Sequence, residues 1–128
     1  ASTHQAPLYP GTGLAKETGV NHNVLNAPLP PGAGGAAWRA VMEARVLPAL
    51  DAFAPELILV SAGFDAHADD PLAQMALGDE DFAWAGRCLR AAALRHCQGK
   101  LVSTLEGGYD LPALARSASA YLGALQRV

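Results

Sequence analysis

At 128 residues, half of them apolar, the chain has the size and composition of a single folded domain, which excludes disordered and fibrous classes. A formal net charge of −3, with arginines scattered along helical stretches, leaves no basic footprint, so neither nucleic acid nor anionic membrane is expected as a partner. The longest apolar runs, such as Leu57 to Val60, are far too short to span a bilayer, and the start Ala1-Ser2-Thr3-His4-Gln5 lacks a leader pattern, so a cytoplasmic protein is expected.

Residues 1–21 carry Pro7, Pro10, Gly11, Gly13 and Gly19 without periodicity and predict an ordered loop. His22 to Ala27 predicts a short strand ended by Pro28-Leu29-Pro30-Pro31-Gly32. A helix is expected from Gly35, with Trp38, Val41, Met42 and Val46 as its apolar stripe, kinked or ended by Pro48 before Phe53. Glu56 to Ser61 carries a continuous Leu-Ile-Leu-Val run and is bounded by Pro55 and Gly63, the pattern of a parallel strand buried on both faces. Asp79 reads as the N-cap of the next helix, with Phe82, Ala85, Leu89 and Ala93 on its inner side and Gln98-Gly99 closing it. Cys88 and Cys97 on that helix point to opposite faces and read as unbridged, buried thiols. Lys100 to Leu105 is the following strand. Asp110 opens a last helix that tolerates Pro112 in its first turn. The alternation of strands and helices predicts an α/β layer architecture with a parallel sheet, whose ligand sites lie at the carboxyl ends of the strands.

Two unusual segments fall at those ends. Asp65 follows a buried strand and Gly63, so its carboxylate either faces a pocket as a metal ligand or braces a turn. Gly107-Gly108 permits positive φ and swings Tyr109 over the same rim, where the phenol either donates to a developing oxyanion or simply packs and meets water. Glu106 reads as a structural partner holding that loop. Asp65-x-His67 imitates a two-ligand motif, but His67 lies in a polar loop with Asp69 and Asp70 and is expected to be solvated or to brace that loop. His4 and His22 are isolated, and His96 suits a helix C-terminus. Phosphate-binding glycine patterns and a serine-nucleophile elbow are both missing.

Four runs resemble the zinc-dependent histone deacetylase family, and most nearly its class II-like bacterial members, which include acetylpolyamine amidohydrolases and acetoin-utilisation deacetylases. They are Ser2-x-His4 with Leu8-Tyr9-Pro10-Gly11-Thr12-Gly13, then Asn26 to Gly32, then Ser61 to Leu72, then Leu105 to Tyr109. The resemblance implies a three-layer, deacetylase-like α/β fold. It implies Asp65 as a zinc ligand, Tyr109 as the group that polarises the acetyl carbonyl, Tyr9 and Leu72 as channel walls, and Gly107 and Gly108 as the floor beside Tyr109. It implies acetyl-lysine or acetylpolyamine as substrate. The family's His-His motif does not occur in these 128 residues, and Asp65-x-His67 matches its Asp-x-His motif in spelling only, since the continuation Ala68-Asp69-Asp70-Pro71-Leu72 resembles the family's later, single-aspartate run; Gly35 stands where the family usually has a polar capping residue. The expectation is therefore the C-terminal part of one deacetylase domain, residues 1–128. It would not retain Zn2+ or activity alone, would pair with the upstream half, and would tend to self-associate as a homo-oligomer. A non-catalytic α/β remnant or interaction module is the alternative.

Overall fold

Prolines and glycines set where the elements stop, but long-range contacts decide two of the strand boundaries. The computed structural model describes residues 1–126. Its elements are β1 (Ser2–Gln5), β2 (Asn26–Leu29), α1 (Gly35–Val41), a π-helical turn (Met42–Val46), α2 (Leu47–Phe53), β3 (Ile58–Ala62), α3 (Asp79–Cys97), β4 (Leu101–Leu105) and α4 (Leu111–Gln126). Parallel pairs form between β1 and β2 and between β3 and β4.

The start of the chain, expected as a loop, contains β1, and the expected 22–27 strand moves to β2 with Pro28 inside it. Ser2 N donates to Leu25 O and Ala6 N to Leu29 O, both at 2.8 Å. The odd-numbered residues of β2 thus turn their backbone groups to β1. Pro28 points its nitrogen the other way, where no ladder bond is lost.

The expected helix runs on to Phe53 despite Pro48. A proline removes one N–H and collides with the carbonyl four residues back, here that of Ala44. The π-helical turn covers Ala44 and widens the backbone just before the proline, which then sits in the first turn of α2. Trp38, Met42 and Val46 are buried along the predicted stripe. Gly34 is the N-cap and offers no side-chain cap. The carboxylate of Asp81 lies against Gly35, in the space a side chain there would fill, and it pairs with Arg39 at 2.7 Å. A side chain at 35 would have to displace that carboxylate.

The α3 cap is Gly78 rather than Asp79. Asp81 Oδ2 accepts from Gly78 N at 2.9 Å, while Asp79, one residue inside the helix, accepts from Ser117 Oγ on α4 at 2.7 Å. Gln98 and Gly99 end α3 with φ of 56° and 80°. Cys97 is buried and Cys88 only half-buried, and both are free thiols. Asp110 caps α4, its Oδ1 accepting from Ala113 N at 2.8 Å.

In the second sheet Ile58 pairs with Leu101 and Ala62 with Leu105. One face packs on α3 and α4: Ile58 sits with Ala92, Ala93 and Cys97, and Ser103 Oγ is 2.6 Å from Tyr121 Oη. The other face is not buried as expected, with Leu59 72% and Val102 57% exposed. Both helices lie on one side, and among the described residues nothing covers the other. The α3–α4 crossing is tight, because a Cβ at Gly86 would lie 2.8 Å from Tyr121 O and 3.0 Å from Ala124 Cβ.

Candidate functional site

The parallel pairing of β3 and β4 continues past the strand ends and joins the two loops of interest. Glu106 N donates to Ala62 O at 3.0 Å, and Phe64 N donates to Gly107 O at 2.7 Å. Phe64 is buried against Phe82 and Tyr121, with ring centroids 5.1 and 6.0 Å away, so its neighbours Gly63 and Asp65 are held at the sheet end. The Asp65 carboxylate lies over the main chain of Gly107, where any Cβ would overlap it. A Cβ at Gly63 would be less crowded, 3.2 Å from Asp65 Oδ1. Desolvation, with the nearby Asp70 carboxylate adding to it, holds the Asp65 carboxyl above the ordinary aspartate range, against a hydrogen bond from its own backbone that favours the charged form.

Asp65 opens onto a broad cleft of about 1430 Å³ that follows β3 along its unpaired edge and is also lined by Tyr9, Met42, Leu59, Gly63 and Gly107. Tyr9 is 94% exposed there, in a turn held by His4, whose Nε2 is 2.8 Å from Gly13 O and whose Nδ1 is 2.9 Å from Ser2 Oγ. The ring of His4 fills the space over Gly13. Tyr109, 55% exposed, stands outside the lining of this cleft, as do Gly108 and Leu72. Positive φ is adopted by Gly108, at 140°, but not by Gly107. Of the predicted set, the cleft thus brings together Asp65, Tyr9 and Gly107.

His67 braces its loop and is not solvated, being 6% exposed and stacked on Phe82. Its Nδ1 accepts from Asp69 N at 3.0 Å, which leaves the ring proton on Nε2, 3.3 Å from Asp79 Oδ1. Arg116 on α4 closes the network, pairing with Asp69 at 3.0 Å and Asp79 at 3.1 Å. Burial pushes the Asp79 carboxyl up, but the hydrogen bonds from Ser117 and Arg116 and the Arg116 charge outweigh it and hold the group below the ordinary aspartate range. His22 meets Thr18 Oγ1 at 3.2 Å, and His96 meets Asp51 at 2.8 Å, joining α3 to α2. None of the histidines shares a metal-ligand cluster: the described residues hold no group of three or more His, Cys, Asp or Glu able to grip a metal.

Asp70 is the residue that sequence reasoning passed over. It is buried, and its two oxygens serve two main-chain donors, Leu72 N at 2.9 Å and Tyr109 N at 2.8 Å. An Asp before Pro71 signals a local turn, which accounts for Leu72. No local pattern announces the bond to Tyr109. Glu106, expected to hold the loop, has an exposed side chain, and only its backbone N–H ties it to β3.

A parallel strand pair with helices on one face and a carboxylate and glycine turn at its carboxyl end defines an α/β protein with a site at the sheet edge. The histone deacetylase domain model matches residues 1–125, and the chain belongs to that family. It is 42% identical to a probable deacetylase of Archaeoglobus fulgidus, over 86% of this chain and 32% of that protein. It is 43% identical to a histone deacetylase-like amidohydrolase of Pseudomonas aeruginosa, over 85% of this chain and 30% of that protein. Among solved structures it superposes on an acetylpolyamine aminohydrolase of Burkholderia pseudomallei with a TM-score of 0.83 and 30% identity, over 96% of this chain and 36% of that one. The chain spans about a third of the length of these relatives.

Proposed function

We propose that this chain is the C-terminal part of a deacetylase domain and supplies Asp65 as one zinc ligand and Tyr109 as oxyanion donor for hydrolysis of an N-acetyl amide, acetyl-lysine or acetylpolyamine. The observation that supports this reading is the fit of the Asp65 carboxylate over Gly107, which sets a carboxylate oxygen beside the loop of the tyrosine. A half-buried carboxylate with raised proton affinity suits a cation. One oxygen ligand is still a corner of a zinc site and not a whole one, since catalytic zinc takes about three protein ligands. The others would come from the upstream part of the domain, which is also the proposed occupant of the open β3 edge. When bound, zinc supplies a water nucleophile at neutral pH and polarises the acetyl carbonyl.

The residues of this chain then have distinct tasks. Tyr109 donates its phenolic proton in a hydrogen bond to the carbonyl oxygen as negative charge develops there. Tyr9 offers a ring to the acyl or alkyl chain of the substrate in the cleft, and Leu72 adds an apolar wall at the rim. Gly107 keeps the space beside Asp65 free.

In the complete protein, Tyr109→Phe is expected to lower kcat about 100- to 1000-fold with bound zinc unchanged. Unaltered turnover of an acetyl-lysine peptide or acetylpolyamine would refute the role of Tyr109. Asp65→Ala is expected to release zinc, and full occupancy would refute ligation.

A non-catalytic module is the competing reading, favoured by the exposed sheet face and the absence of a three-ligand cluster among the described residues. Metal analysis and an acetyl-lysine assay on the complete protein separate the two, because the module would neither bind zinc stoichiometrically nor turn over.

A further inference from the structure

The two loops at the sheet end are joined by three hydrogen bonds, and they differ in kind. Glu106 N to Ala62 O and Phe64 N to Gly107 O run between backbones and use no side-chain atom. The third, Tyr109 N to Asp70 Oδ2 at 2.8 Å, is made by a side chain and is the one that holds Tyr109 itself. It follows directly after Gly108, whose φ of 140° is open to glycine and strained for other residues, so the main chain between Gly107 and Tyr109 turns at a joint that only glycine takes without strain. Leu114 and Phe64 close on Gly108 from one side. The restraint beyond the joint is Asp70.

Asp70 is suited to that task. It is 7% exposed, and its other oxygen accepts from Leu72 N at 2.9 Å, so the carboxylate cannot swing toward one partner without losing the other. Its loop is anchored in turn, since Asp70 N donates to His67 O at 3.0 Å and His67 is packed on Phe82 and bound to Asp79. The chain of contacts runs from α3 through His67 and Asp70 to the backbone of Tyr109.

We infer that Asp70 is the positioning residue for Tyr109, fixing the height of the phenol over the site and setting the Leu72 wall in the same act. This inference rests on the reading of Tyr109 as oxyanion donor. An asparagine is nearly isosteric but has one acceptor oxygen where Asp70 uses two, so it keeps one N–H and turns an amide donor on the other.

The test is a double-mutant cycle in the complete protein with an acetyl-lysine peptide. Asp70→Asn is expected to lower kcat about 10- to 100-fold, with zinc content retained and KM changed much less. In a Tyr109→Phe background the same substitution is expected to have almost no further effect, because its action passes through the phenol. Equal losses in the two backgrounds would overturn the inference while leaving Tyr109 catalytic. Full activity of Tyr109→Phe alone would instead overturn the reading beneath it. A measurement that needs no variant accompanies the cycle: amide exchange at Tyr109 in the unmodified protein is expected to be slowed relative to an unstructured peptide. Exchange at the free-peptide rate would show that the Asp70 bond does not hold Tyr109 and would also overturn the inference.

Discussion

Gly107 shows how a residue with no side chain can shape a site. Its φ lies outside the left-handed region, so it is not there for conformational freedom; it is there because the Asp65 carboxylate occupies the place of its Cβ. Under the proposal that Asp65 ligates zinc, Gly107→Ala in the complete protein is expected to push the carboxylate aside and weaken zinc binding about 10- to 100-fold, as read by competition with a chelator. Unchanged affinity would mean that Asp65 has room to move. The place of Asp65 at the sheet end is legible in the sequence, because it follows an apolar strand and a glycine. The reason for Gly107 is not legible, since it arises from contact between two loops that meet only once β3 and β4 pair. The same holds for Asp70, whose local turn is readable and whose bond to Tyr109 is not.

Among the elements, helix existence was readable and the exceptions have physical causes. β1 is four residues long, too short to display a period, and is fixed from outside by Trp38 Nε1 bonding Thr3 Oγ1 at 3.1 Å and Gln74 N bonding Gln5 Oε1 at 2.7 Å. Pro28 and Pro48 are breakers in a local reading and are absorbed by an unpaired edge and a π-helical turn. Gly86 is the opposite case, a poor helix residue demanded by packing. Alanine there would ordinarily favour the helix, but it would press on Tyr121 O, which cannot rotate away. Gly86→Ala is therefore expected to destabilise the fold by about 1–3 kcal/mol, seen as a lower Tm, and a raised Tm would show that α4 can shift.

Tyr121 links α4 to β4, and its phenol is expected to make stability pH-dependent. Burial raises the proton affinity of the Tyr121 phenol, against the hydrogen bond with Ser103, which favours ionisation. The unfolded tyrosine loses its proton near about pH 10, before the folded one. The folded state therefore binds more protons above that pH, and stability falls as pH rises. Below it the contribution is fully present. Tm of the unmodified protein is expected to drop more steeply between about pH 9.5 and 11 than that of Tyr121→Phe. Parallel curves would exclude Tyr121 as the group responsible.

At the scale of the whole molecule, the chain has one sheet face packed and one bare. The apolar run from Leu57 to Val60 reads as a strand covered on both sides, and Leu59 and Val102, paired across β3 and β4, stand open instead. Under the proposal that an upstream part of the domain completes the fold, the sequence reading and the bare face agree, because the strand was composed for a layer contributed from elsewhere. That argument makes a prediction whose sign depends on context. In the 128-residue chain alone, Leu59→Lys puts a charge on an exposed apolar face and is expected to reduce self-association, read as a shift toward monomer in sedimentation. In the complete protein the same lysine would be buried without a partner and is expected to cost several kcal/mol, about 3 or more, read as a large loss of Tm. Were the complete protein to tolerate Leu59→Lys as readily as the isolated chain, this face would be solvent-exposed in both, and the missing layer would not pack against β3.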